Sequence, residues 1–62
     1  MLDADTLAMY RRLLCAYRTK ETALRLRAQA AEDNARRGLI ELADSYAAEA
    51  EKLARILKDT PT

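Results

Sequence analysis

The chain has 62 residues, a net charge of +1, a single Cys, and no His, Phe or Trp. That excludes an internal disulfide, a His-based catalytic or zinc centre and a second domain, and a lone core of this size is marginal. One Gly, one Pro and abundant Ala, Leu, Arg and Glu describe an all-α protein that draws stability from oligomerisation.

The start, Met1-Leu2-Asp3-Ala4-Asp5, is acidic with no apolar run behind it, so it does not read as a signal peptide. No stretch approaches the ~18 consecutive apolar residues of a membrane span. With a lone thiol, these features point to the cytoplasm. Asp3 or Asp5 can cap the first helix, with Leu2 placed to staple back onto it. That helix is expected over about 4–31. Its apolar residues recur at Leu7, Tyr10, Leu14, Tyr17, Leu24, Ala28 and Ala31, steps of three and four that make a heptad seam, with Glu21 in the one polar slot. Arg11, Arg18 and Arg25 flank the seam on one side, and Leu13, Lys20 and Arg27 on the other. A weaker stripe of Met9, Ala16, Ala23 and Ala30 would let a further helix come close.

Glu32-Asp33-Asn34 is predicted to be the hinge, with Asp33 as the N-cap of the second helix. An unbroken helix is the rival, since no Pro interrupts the middle. The hairpin is preferred because the seam slips by one residue across the centre. The only glycine, Gly38, lies close by and is the alternative C-cap of the first helix. The second helix is expected over about 34–58, with a seam of Leu39, Ala43, Tyr46, Ala50, Leu53 and Leu57. Ile40, Ala47 and Ala54 flank it on one side. Leu42 and Ile56 flank it on the other, interrupted by Glu49. Pro61 disfavours helix at Thr60 and leaves a tail over 59–62.

From Tyr17 to Leu57 the chain carries Tyr17-Arg18, Arg25 and Ala28, then Arg36, Leu39-Ile40, Leu42-Ala43, Tyr46 and Ala50. In these residues it resembles a family of short bacterial helical-hairpin proteins of uncharacterised function, with the pattern Tyr-Arg … Asp-Pro-x-x-Arg-x-x-Leu-Leu-x-Leu-Ala-x-x-Tyr. Glu32 and Asp33 stand where that pattern has Asp-Pro, and Glu49 where it has Leu. The resemblance implies a hairpin and its hinge region, and no activity. Because Glu is a poorer cap than Asp, the cap is expected to move on to Asp33.

Catalysis needs groups that move protons or attack a reacting atom, and no acid–base partner is visible for the one nucleophile, Cys15. No cofactor or metal set is legible, and the chain is not expected to be an enzyme. Cys15 has Arg11, Arg12 and Arg18 within one helical turn, which favours a thiolate and a redox reading; a small residue beside the seam is the simpler account. The Arg11/Arg18/Arg25 row can track phosphates. Yet residues 1–31 carry a net +3 and residues 32–62 a net −2, so the preferred reading is a basic helix docked beside an acidic one.

The sequence therefore reads as an antiparallel helical hairpin that pairs into a homodimeric four-helix bundle, with an oligomer core of Leu7, Tyr10, Leu14, Tyr17 and Leu24 on the first helix and Leu39, Leu42, Ala43, Tyr46, Ala50, Leu53 and Leu57 on the second. The functional expectation is a non-enzymatic protein-interaction or regulatory module, with a partner protein beyond its own copy. RNA or DNA binding through the Arg row is the alternative, and a thiol-based redox response through Cys15 the second alternative. Counted from a turn at Asp33, Glu21 faces Tyr46 and is expected to accept a hydrogen bond from its hydroxyl, within the hairpin or across the dimer, with Arg25 at i+4 balancing the charge.

Overall fold

The computed structural model describes residues 3–59. Two helices of equal length, α1 (Ala4–Ala30) and α2 (Asp33–Asp59), fold back on each other as a hairpin 45 Å long. No helix in the described residues is long and apolar enough to cross a membrane. The expected Leu2 staple and Pro61 stop lie outside the described residues.

At the N-terminus of α1, the Asp3 carboxylate accepts the Thr6 amide at 2.7 Å and satisfies a donor that the first turn leaves open. The Thr6 side chain, and then this amide, hold the Asp3 carboxyl below the usual carboxylate range. At the other end, Ala31 takes an extended conformation (φ −92°, ψ 158°) and its amide closes a tight turn onto the Ala28 carbonyl. Alanines are strong helix formers, so local propensity does not stop α1 here.

The turn comprises Ala31 and Glu32. Glu32 rather than Asp33 holds the cap position of α2, since the Glu32 carbonyl accepts the Arg36 amide at 2.7 Å and so begins the helical ladder. Asp33 is the first helical residue, where its charge opposes the positive end of the helix dipole. Gly38 lies inside α2 with no positive φ and is no helix cap.

Arg36 holds the turn. From the first turn of α2 its guanidinium reaches back to the end of α1, where Nε donates to the Ala28 carbonyl at 3.1 Å and Nη2 to the Ala31 carbonyl at 3.0 Å. The Ala28 carbonyl, which already accepts the Ala31 amide, gains a second donor, and a cation is favoured at that end of the dipole. One side chain thus caps one helix while belonging to the next.

The seams of the sequence are the facing surfaces. On α1, Leu7, Tyr10, Leu14, Tyr17 and Glu21 are half-buried, and Leu24 and Ala28 are buried. On α2, Ala43 and Ala50 are buried, with Leu39, Tyr46, Ala47, Leu53, Ala54 and Leu57 half-buried. Three of the four buried residues are alanines, so the helices come closest where side chains are smallest. The half-buried leucines and tyrosines pack around those points.

Arg36→Ala should lower stability by about 1–2 kcal/mol, the loss of two charge-assisted hydrogen bonds at the edge of a fold. Arg37→Ala, one position on and absent from the turn, should change it by less than about 0.5 kcal/mol. Equal effects of the two in urea denaturation would deny the clamp its role. A Cβ added at Gly38 meets nothing within 4 Å. Gly38→Ala should therefore stabilise the protein by about 0.5–1 kcal/mol through helix propensity alone, and a lowered urea midpoint would contradict this.

Candidate functional site

The candidate residues fall into three groups: the seam, the arginine row with Cys15, and the apolar residues outside the seam. On the seam the principal side-chain contact is aromatic. The Tyr17 and Tyr46 rings meet across the two helices with centroids 5.8 Å apart and planes at 45°. That is the tilted geometry favoured by ring quadrupoles.

Glu21 takes a different partner from the one its seam position suggests. Its carboxylate accepts from Arg25 Nε at 3.0 Å, one turn along α1, and within the chain it makes no hydrogen bond to Tyr46. Arg25 then reaches across to α2, where Nη2 donates to Asp44 at 3.1 Å. Glu21, Arg25 and Asp44 form a chain of charge at the edge of the seam. Hydrogen bonding to Glu21, and next to Asp44, makes the Arg25 guanidinium harder to deprotonate. The within-hairpin form of the Glu21–Tyr46 bond is thereby corrected. Arg25 has two spaced donors at i+4, whereas the Tyr46 ring already packs on Tyr17.

This chain of charge also divides the arginine row. Arg11 and Arg18 are exposed and have no ion-pair partner among the described residues. Arg25 is engaged by two carboxylates. Arg11 and Arg18 line a shallow groove along α1 with Cys15, Thr19, Thr22 and Leu26. Cys15 is exposed there, and its backbone carbonyl accepts the Thr19 hydroxyl at 2.9 Å. No side chain is hydrogen-bonded to its sulfur among the described residues. A nucleophile is activated by a base in hydrogen-bond reach, and this groove offers guanidinium groups, which carry their protons permanently. Among the described residues no three His, Cys, Asp or Glu side chains gather as metal ligands do.

The third group lies outside the seam. Met9, Leu13, Leu26, Ile40, Leu42 and Ile56 keep between 36% and 60% of their surface open in the single chain. Leu42, placed by sequence in an oligomer core, is 49% exposed in the hairpin itself.

Sequence reasoning missed two residues that matter to the geometry. Arg36 entered only as a member of a resembling pattern, and its partners lie on the other helix, where no local rule points. Asp44 lies on neither the seam nor its apolar flanks, yet it is the acceptor that ties α2 to Arg25. Neither a family model, nor a curated protein, nor a solved structure matches the chain.

A double-mutant cycle on Tyr17→Leu and Tyr46→Leu should give a coupling of about 0.5–1.5 kcal/mol, the increment of an aromatic pair beyond area burial. A cycle on Glu21→Gln and Tyr46→Phe in the monomeric protein should give none. The reverse outcome would restore the Glu21–Tyr46 bond and displace the ring contact.

Proposed function

We propose that the chain works as a homodimeric four-helix bundle, a small non-enzymatic protein-interaction or regulatory module of the cytoplasm. The supporting observation is the mismatch between its apolar surface and its core. A two-helix hairpin has one internal seam, and this one buries only one leucine and three alanines. Large apolar side chains meanwhile stand open on both helices. Leaving such a face in water forgoes roughly 25 cal/mol for every Å² that a partner could cover. Four-helix bundles resolve this by stacking one hairpin on another, so that each helix has two neighbours and its apolar arc is filled.

The nucleic-acid alternative has less support. Affinity for phosphates grows with the number of free cations along the track, and the row retains only Arg11 and Arg18 once Arg25 is neutralised by Glu21 and Asp44. The redox alternative rests on an exposed thiol beside those two arginines, with no resolving cysteine in the chain.

Light scattering at micromolar concentration should return twice the chain mass of 7.0 kDa. Leu42→Glu should shift the protein towards monomer by placing a charge in the joined face. A stable, fully helical monomer of the unaltered chain at that concentration would overturn the proposal.

A further inference from the structure

Two faces flank the α1–α2 seam, and they differ in charge order. One carries the arginine row, and there Arg25, Arg36 and Ile40 border a common groove. On the other, Lys20, Arg27 and Leu42 border a groove floored by Leu24 and Tyr46. Heptad spacing extends this second face into two rows: Leu13, Lys20 and Arg27 along α1, and Leu42, Glu49 and Ile56 along α2. Because the helices are antiparallel, the rows run in opposite order. Lys20 sits at the centre of one and Glu49 at the centre of the other, with Leu13, Leu42 and Ile56 at three of the four ends and Arg27 at the fourth.

We infer that this mixed face docks a second copy of the chain with the two-fold axis along the helices, so that Lys20 of each protomer lies against Glu49 of the other and both turns fall at the same end. The inference rests on the dimer proposed above. Two identical faces can stack in two antiparallel ways. An axis running across the helices lays α1 on α1, which puts Lys20 on Lys20 and Glu49 on Glu49. An axis along the helices lays α1 on α2, which pairs each lysine with a glutamate and Leu13 with Ile56. Arg27 then covers Leu42 with its aliphatic stem. Like charges facing each other are repulsive and opposite charges fix register, so the order of charges selects the second arrangement. The wider field agrees, since the half of the chain holding α1 is net positive and the half holding α2 net negative.

Nothing in the single chain competes strongly for these groups. Lys20 has no ion-pair partner among the described residues. Glu49 accepts from Lys52 at 3.3 Å through Oε1, in an exposed i,i+3 pair of the kind that contributes little. The face is also large enough. A hairpin 45 Å long and 14 Å wide presents roughly 600 Å² per protomer, and joining two such faces reaches roughly 1,200 Å², the lower end for a specific interface.

Spin labels on Asn34→Cys in a Cys15→Ser background test the arrangement, because Asn34 lies beside the turn. Turns at the same end place the labels about 15–25 Å apart, one bundle diagonal plus the label arms. Turns at opposite ends place them near the 45 Å length of the hairpin, and that result would overturn the inference. Charge reversal gives a second reading. Lys20→Glu and Glu49→Lys should each weaken dimerisation at least about tenfold, and together restore it. Failure of the pair to restore it would also overturn the inference. A dimer with the long label distance defeats the arrangement alone, whereas a monomer under all conditions defeats the dimer itself.

Discussion

The turn of this hairpin depends on one guanidinium. α1 ends in alanines, and neither Ala31 nor Glu32 is a residue that breaks helices by itself. What distinguishes the bent chain from a straight one is the set of bonds available only when α2 doubles back. Arg36 then reaches the Ala28 and Ala31 carbonyls with its side chain. Its amide starts the ladder of α2 on the Glu32 carbonyl, an ordinary i→i−4 bond that a straight helix would also hold. Donors and acceptors from two helix ends are satisfied by a single residue. The charges agree with both dipoles, with Arg36 at the negative end of α1 and Glu32 and Asp33 at the positive end of α2. The turn in turn fixes which residues face each other: Tyr17 meets Tyr46, and Arg25 reaches Asp44.

With the turn fixed, geometry limits how much two helices can hide. Each offers one strip to the other, and here the closest approach falls on Ala28, Ala43 and Ala50. Small residues allow that approach but contribute little apolar area of their own. The larger side chains gather around these points and remain partly open to water. The hairpin is therefore well defined in shape and lightly loaded in core, which is the physical ground of the proposed pairing with a second copy. The polar contacts that cross or edge the seam add register more than stability, because they are exposed and screened.

Much of this fold was legible in the sequence. Heptad spacing identified the buried residues and most of the half-buried ones, because in so regular a structure burial follows period; Thr6, Ala47 and Ala54 are half-buried outside the seams. The phase slip revealed the bend. Its position was off by one residue, since side-chain preference favours Asp33 as the cap while the backbone ladder begins at Glu32. The partners of Glu21, Arg25 and Arg36 were not legible in the same way. They depend on how long flexible side chains settle once the helices are side by side, and spacing within one helix does not encode that. Glu21 was recognised as needing a partner, and it has one, but on its own helix.

If the hairpin completes its core with a second copy, folding and association are one equilibrium, and mass action makes stability depend on protein concentration. The direct measurement is the thermal midpoint by circular dichroism over a hundredfold dilution, on the order of 1–100 µM, where micromolar association would be visible. The midpoint should rise steadily with concentration. A midpoint that stays constant across the series, with helical content unchanged, would show that one hairpin is sufficient and would contradict the account.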